Sequence, residues 1–194
     1  MAEPVRTPKA RAQADRRQRI IDTAAEMAEA DGWDGVTTRR LSEAISYSQP
    51  VLYGHFPGGK AEITTAVALQ GFQQIGVAMS VHADGFAEGL QQLAEAYLTF
   101  AAGHPAVYQA MFSMPVRLAF GSNDSHPEMR RSFRRITAVL ERRHVPFDDP
   151  ETTTEVLWSA LHGLAVLTNA GRLRTEARDA RITALVLLFS GGKI

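Results

Sequence analysis

Apolar residues recur at three- and four-residue steps through nearly the whole chain, and this period constrains the fold more than any other feature. Between about residues 15 and 31, for example, Ile20, Ala24 and Ala28 follow that spacing. No stretch of useful length alternates polar and apolar side chains, as a half-buried strand does. The sequence therefore predicts an all-α protein with about nine helices.

Composition narrows the class of protein further. A chain of 194 residues that is 45% hydrophobic can bury the core of one large domain or two small ones. The absence of cysteine excludes disulfides, thiol catalysis and cysteine metal sites. The histidines lack metal-ligand spacing, and no phosphate loop, GxSxG or paired-carboxylate motif occurs. We therefore expect no metal, no cofactor and no enzyme. No apolar run reaches the roughly 18 residues of a membrane span, so we expect a cytoplasmic protein.

Charge is balanced overall but not along the chain. The formal net charge is zero, yet residues 1–19 hold six basic side chains against two acidic ones. Residues 1–14 contain two prolines and few apolar side chains, which predicts a flexible basic arm. Such an arm suits an anionic polymer, although a solvated disordered tail fits the composition equally well.

A second basic run lies between residues 130 and 143, which contain six arginines. Met129, Phe133, Ile136 and Leu140 form an apolar stripe through the same segment. The pattern favours the solvated side of an amphipathic helix over a second nucleic-acid patch.

The stretch SQPVLYGHF, at residues 48–56, places a proline inside this helical chain. Ser48 is a natural N-cap, which puts Gln49 and Pro50 in the first turn of a helix. Proline costs little there, because the N–H groups of the first turn have no partner within the helix. We therefore interpret Pro50 as the beginning of a helix.

The rest of this short helix has two unlike sides. Leu52 and Phe56 are four residues apart and share its apolar face, whereas Tyr53 and His55 project elsewhere. Gly54 costs helix stability by up to about 1 kcal/mol relative to alanine. Its missing side chain lets this surface lie close to a partner.

Another short helix precedes this one. Thr37 is a good N-cap, and Val36 before it can pack on Leu41 as a hydrophobic staple. Residues 45–47 form a tight turn between the two helices. Two short helices joined in this way make a helix-turn-helix, whose second helix enters the major groove of DNA.

The segment TTRRLSEAISYSQPVLYGHFPGGKAEI closely resembles the DNA-binding motif of the tetracycline-repressor (TetR) family of bacterial regulators. The matching residues are Thr37, Thr38, Arg39, Leu41, Ser48, Leu52, Tyr53, His55, Phe56 and Lys60. The resemblance implies a DNA-binding surface composed of Thr38, Arg39, Ser48, Gln49, Pro50, Tyr53, His55 and Lys60. By position, base contacts are expected from Arg39, Gln49 and Pro50. Phosphate contacts are expected from Thr38, Tyr53, His55 and Lys60.

The segment departs from the family pattern at four places. Ser46 stands in the turn where the family usually has glycine, and a non-glycine residue with positive φ is strained by roughly 1 kcal/mol. Ser42 replaces the usual alanine, and Tyr47 a smaller aliphatic residue. The PGGK link is one residue longer than usual, which affects the reach of Lys60.

Beyond residue 66 the resemblance is weaker. HPAVYQAMF (104–112) and WSALHGLAVL (158–167) resemble a TetR-family regulatory domain named for a Trp-His-Gly signature, here Trp158, His162 and Gly163. This resemblance implies a domain for dimerisation and ligand sensing.

Aromatic and methionine side chains are frequent in the middle segment. They could line an apolar cavity, with Trp158 and His162 as polar handles, although any one such side chain is more often ordinary core. The predicted ligand-binding set is Phe72, Tyr97, Phe100, Tyr108, Met111, Phe112, Trp158 and His162.

The last two predicted helices are apolar around too much of their circumference to stand alone. Leu157, Leu161 and Leu164 cover one side of the first, and Leu185 and Leu188 contribute to the second. Two such helices from each of two chains would form a four-helix interface. The alternative is a pair fully buried within a monomer.

The sequence thus predicts three regions: a flexible basic arm (1–14), a helix-turn-helix DNA-binding domain (15–60) and a ligand-binding and dimerisation domain (61–194). The expected function is a homodimeric repressor that binds a palindromic DNA operator and is released by a small apolar or aromatic molecule. Two alternatives stay open: a helical-bundle ligand-binding protein that does not bind DNA, and a DNA-bound activator or scaffold without an effector.

Overall fold

The computed structural model describes residues 7–115, 125–144 and 147–191. Within these ranges the chain forms nine α-helices, one short 3-10 helix (Thr175–Ala177) and no strand, so the all-α prediction is confirmed. The helices are α1 (Pro8–Gly35), α2 (Thr38–Ala44), α3 (Gln49–His55), α4 (Gly59–Ala78), α5 (Phe86–Gly103), α6 (Pro105–Phe112), α7 (Pro127–Leu140), α8 (Pro150–Asn169) and α9 (Arg178–Ser190). No helix among these is both long and apolar enough to cross a bilayer.

The first helix begins earlier than predicted. Thr7 caps α1 by accepting the N–H of Ala10 at 3.3 Å, and Pro8 follows at the start of the helix. Proline there has its φ already set for the helix. Residues 8–14 are therefore helical, not part of a flexible arm, and residues 1–6 of that predicted arm lie outside the described ranges. Near its other end, α1 is kinked at Gly32 (φ 72°, ψ 167°), directly after the segment of about residues 15–31 in which the sequence shows helical spacing.

The described residues pack as two compact units, one made of residues 7–70 and 106–115 and the other of residues 71–105, 125–144 and 147–191. The first unit has a core in which Ile20, Leu41, Leu52 and Phe56 have no exposed surface, as the sequence predicts. This packing boundary falls within α4, beyond the predicted functional boundary at residue 60, because the first half of α4 packs with the other helices of the first unit, which we call the head.

Side chains of α1 and α4 form a closed triangle of hydrogen bonds in the first unit. Gln18 Nε2 donates to Asp22 Oδ1 at 2.9 Å and to Gln70 Oε1 at 2.8 Å, and Gln70 Nε2 donates to Asp22 Oδ1 at 2.9 Å. Each of these polar groups is therefore paired where the two helices meet.

In the second unit, α5 packs against α7, α8 and α9. Met129, Ile136 and Leu140 of α7 are buried. The opposite side of α7 carries exposed arginines, namely Arg130, Arg131, Arg134 and Arg135. The prediction of an amphipathic helix at this position is therefore confirmed.

The last two helices bury only part of their apolar surface within the chain. Leu157 and Leu161 of α8 and Ile182 and Leu185 of α9 are buried. Five other large apolar side chains are exposed on these helices: Val156, Val166, Leu167, Leu187 and Leu188. The pair is therefore not fully buried within one chain.

The turn between α2 and α3 directs the second short helix. Ser46 adopts φ 55°, the positive φ that the sequence predicts for this position. The N–H of Ser46 bonds to the carbonyl of Glu43 at 3.2 Å, and that of Tyr47 bonds to the carbonyl of Ser42 at 2.9 Å. These two bonds form a Schellman motif, which ends α2 and leaves Ser48 free to begin α3.

The left-handed residue in this turn provides a test. Ser46→Gly should raise the free energy of unfolding by up to about 1 kcal/mol, because glycine removes the strain of positive φ but adds freedom to the unfolded chain. Glu43→Gly, within α2, is the control and should lower it by about 1 kcal/mol. Urea denaturation measures both. Destabilisation by Ser46→Gly would contradict the strain.

Candidate nucleic-acid interface

Two N-caps set the positions of the helix-turn-helix. Thr37 Oγ1 accepts the N–H of Arg40 at 3.2 Å and begins α2. Ser48 has extended φ and ψ at the start of α3, but its side chain makes no capping hydrogen bond. Ser48, Gln49 and Pro50 are all exposed. The beginning of α3 therefore presents polar groups that the helix itself does not use.

The outer side of α3 is open, as the sequence predicts. Tyr53 is 45% exposed and His55 is half-buried, whereas Leu52 on the inner side is fully buried. A Cβ placed on Gly54 would meet no atom within 4 Å. The packing of this chain therefore gives no reason for a glycine at that position.

An open groove of about 550 Å³ lies beside α3. Its lining includes Thr38 from α2, Tyr53 from α3, and Gly59 and Lys60 from the first turn of α4. Gly59 has φ 58°, and a Cβ there would lie 3.4 Å from Cε1 of Tyr53. The Tyr53 ring thus lies within ordinary contact distance of the start of α4, and the positive φ is what favours glycine at this position. Three of the four predicted phosphate-binding residues thus meet in one groove.

Both predicted cationic contacts have partners within the chain. The Lys60 ammonium donates to the Trp33 carbonyl at 2.5 Å. Arg39 Nε pairs with Glu43 Oε1 at 3.0 Å, with side chains 79% and 63% exposed. An exposed pair of this kind stabilises a helix by only about 0.3–0.5 kcal/mol, so Arg39 can exchange Glu43 for another partner at little cost.

Three further arginines of the head were not predicted as part of the site. Arg40 pairs with Asp31 and donates to the Gly35 carbonyl at 2.7 Å. Arg17 places its guanidinium carbon 4.2 Å from the centre of the Phe56 ring, and Arg19 donates to the Tyr47 hydroxyl at 3.4 Å. Helical periodicity gives no sign of these contacts, since each joins separate segments of the chain.

The eight residues of the predicted ligand-binding set divide between the two units. Tyr108, Met111 and Phe112 of α6 belong to the first unit, where the Tyr108 and Phe112 rings lie 4.8 Å apart. Of these three, Tyr108 and Met111 are buried. The second unit holds the other five: Phe72, Tyr97, Phe100, Trp158 and His162. A shared cavity for all eight residues stays a prediction.

In the second unit, Trp158 and His162 lie one turn apart on α8. Their ring centroids are 6.3 Å apart, and the Phe133 ring meets Trp158 edge-on at 6.2 Å. Burial lowers the pKa of the His162 imidazole below its ordinary value of 6.5. The neutral ring, which has one donor and one acceptor, is therefore the favoured form near neutral pH.

Across residues 7–115, 125–144 and 147–191, no three acidic or histidine side chains come together as a metal-binding group. The polar residues of the groove are instead hydroxyl, phenol and ammonium groups. These are donors, and donors together with a helix N-terminus favour an anion.

A helix-turn-helix with an exposed second helix places the chain among DNA-binding regulators, and comparison with known proteins identifies the family. Residues 20–67 match the model of "Bacterial regulatory proteins, tetR family", and residues 90–188 match that of "Tetracyclin repressor-like, C-terminal domain". The chain belongs to the TetR family of transcriptional regulators.

Individual relatives agree with this assignment. An uncharacterized HTH-type transcriptional regulator of Mycobacterium tuberculosis is 27% identical over 182 residues, which cover 91% of this chain and 80% of the relative. A Rhodococcus protein of unknown function has the same fold, with a TM-score of 0.76 at 21% identity over 90% of this chain and 93% of that one. A TetR variant from Acinetobacter baumannii, solved in complex with minocycline, gives a TM-score of 0.65 at 19% identity, over 89% and 93%.

Proposed function

We propose that this TetR-family regulator is a repressor that binds a palindromic operator as a dimer and is released by a small apolar or aromatic molecule. The observation that carries the proposal is the open outer side of α3 beside the groove that contains Lys60. On this proposal the protein acts on the chromosome, in the bacterial cytoplasm, and catalyses no reaction.

The proposed DNA contacts follow the exposure of each side chain. Gln49 and Pro50, at the exposed start of α3, would meet base edges together with Arg39, since the first residues of a recognition helix reach furthest into the major groove. Tyr53 and Lys60 would bind a phosphate in the groove, where the first turn of α4 also attracts an anion. Thr38 and His55 would complete the phosphate contacts around them, and Ser48 belongs to the same proposed DNA-binding surface.

The proposed dimer rests on the outer surfaces of α8 and α9. Val156 and Leu188 are each 56% exposed. Covering such apolar side chains with a partner subunit is favourable because it removes them from water. A Cβ on Gly163 of α8 would meet nothing within 4 Å, so the space beside it is open to a partner helix. A two-fold dimer presents one α3 to each half of a palindrome.

The proposed effector is apolar or aromatic because the predicted ligand-binding set is rich in aromatic side chains. A related regulator was solved with minocycline, which supports small-molecule sensing without identifying the molecule. The effector must bind the DNA-free conformation more tightly than the DNA-bound one, since otherwise it shifts no equilibrium.

The two kinds of DNA contact predict different losses. Arg39→Ala should cost about 1–3 kcal/mol and relax sequence choice at one base pair, whereas Lys60→Ala should weaken all DNA about equally and reduce the salt slope by about 1. Fluorescence anisotropy with an inverted repeat from the DNA flanking the gene, and with a scrambled duplex, measures both. Arg135→Ala on α7 is the control.

The reverse pattern would contradict the assigned roles. If the wild-type protein binds neither duplex at low salt, the alternative of a helical ligand-binding protein without DNA is favoured.

Gly54→Ala should separate stability from DNA binding. Alanine within a helix stabilises it by about 0.5–1 kcal/mol relative to glycine, and here the added methyl group meets nothing in the chain. The same methyl group stands on the surface proposed to face DNA, so affinity for the inverted repeat should fall. Urea denaturation and anisotropy measure the two effects. Gly103→Ala, also unobstructed, should leave DNA affinity unchanged; equal effects of both variants on affinity would count against the proposed surface.

The dimer proposal predicts that charge on α8 and α9 will separate the subunits. The double variant Val156→Glu, Leu188→Glu should sediment as a monomer at concentrations where the wild type is a dimer, because carboxylates are costly to bury. Its helical circular dichroism should be unchanged, and its affinity for the inverted repeat at least about tenfold lower. Val77→Glu is the control, since Val77 is 66% exposed on α4. A double variant that stays dimeric excludes this interface.

A further inference from the structure

Trp33 occupies an unusual place at the end of α1. It follows Gly32, whose φ of 72° and ψ of 167° break the helical path. The Trp33 side chain is only 5% exposed although it belongs to the last turn of the helix. The kink thus turns a large aromatic side chain into the first unit. It also gives the Trp33 backbone carbonyl hydrogen-bond partners unlike those of the carbonyls in the regular part of α1.

The side chains of this segment attach α6 to α1. Trp33 Nε1 donates to the Ala106 carbonyl at 2.8 Å. One turn earlier, the two carboxylate oxygens of Glu29 accept the N–H groups of Ala106 and Val107, each at 3.0 Å. These N–H groups belong to the first turn of α6, which has no partners for them within the helix. Their position also favours a negative charge. Three hydrogen bonds therefore hold the start of α6.

The backbone of Trp33 attaches the same segment to the groove. Its carbonyl accepts the N–H of Val36 at 3.2 Å and the ammonium of Lys60 at 2.5 Å. A carbonyl oxygen has two lone pairs, so both are used. The Lys60 ammonium keeps two more donors with which it can meet a phosphate.

We propose that Trp33 is a positioning residue for Lys60, and that its indole makes the position of Lys60 depend on α6. The inference rests on the proposed DNA-binding function. When α6 shifts, the hydrogen bonds of Trp33 and Glu29 carry the kinked segment with it, and the carbonyl that holds Lys60 moves. Tyr108, Met111 and Phe112, which are in the predicted ligand-binding set, lie on the same short helix. An effector that displaces α6 thereby weakens a phosphate contact through α1.

Reciprocity gives a test that needs no effector. If α6 influences the binding of DNA, the binding of DNA must influence α6 equally. Mixed-sequence duplex DNA at low ionic strength should slow hydrogen exchange at the Ala106 and Val107 amides, although α6 is not on the proposed DNA surface. Residue-resolved hydrogen exchange of the full-length wild type measures this. Slower exchange of the α3 amides is the internal control that shows that DNA has bound.

A double-mutant cycle distinguishes positioning from mere structural support. Trp33→Phe removes the indole N–H but keeps an aromatic ring, and should weaken binding of the same duplex about threefold to tenfold. In the Lys60→Met background, Trp33→Phe should have no further effect on DNA affinity. Lys60→Met alone should already make that affinity less dependent on salt concentration than in the wild type. Glu29→Gln should behave as Trp33→Phe does. Glu95→Gln on α5 is the matched control, because that carboxylate accepts from Gln91 of its own helix at 2.9 Å.

The outcomes separate the inference from the function on which it rests. Protection of α3 and of the Ala106 and Val107 amides, with a Trp33→Phe effect that disappears in the Lys60→Met background, supports it. Protection of α3 with unchanged exchange at those two amides overturns the inference alone. Equal effects of Trp33→Phe with and without Lys60 overturn it too, since Trp33 then acts as structural support only. Failure of the wild type to bind duplex DNA overturns both proposals.

Discussion

The burial of Leu52 and Phe56 in the core of the first unit is the interaction on which the head of the protein depends. A helix of seven residues such as α3 has too few hydrogen bonds to persist alone in water. Its inner side chains are fully buried with Ile20 and Leu41, and burial of each stabilises the fold by about 1.5–3 kcal/mol. Because the core uses only one side of α3, the other side stays exposed, and this is the side proposed to contact DNA.

The C-terminal helices show a similar division of surfaces. Helix α8 buries Leu157 and Leu161 within the chain and exposes Val156, Val166 and Leu167 on another side. A helix with apolar side chains on two sides is stable in water only when both are covered, and one chain covers one of them. The TetR-family assignment and this exposed surface thus lead separately to the same proposal, an assembly of two subunits.

Local chemistry made much of the head predictable from the sequence. The cap at Thr37, the helix start at Ser48 and the positive φ of Ser46 each depend on a few neighbouring residues. The sequence does not reveal the start of α1, because the prolines and few apolar side chains of residues 1–14 are equally typical of a disordered tail, whereas Pro50 follows a recognisable N-cap residue, Ser48. Contacts between distant segments cannot be predicted from helical spacing. Glu29 and Ala106 are far apart in sequence, and nothing in the position of a glutamate on a helix surface indicates which N–H groups it will bind.

The early start of α1 changes how the basic N-terminal side chains behave. Lys9 and Arg16 are seven residues apart on a continuous helix, so they share one side of it at a separation of about 10 Å along its axis. If this segment were disordered, the two cations would have to be ordered when they contact a polyanion, and the entropy cost would weaken association. On helix α1 their spacing is fixed before a polyanion binds. The orientation of the whole head then decides whether both cations reach a polyanion together or neither does.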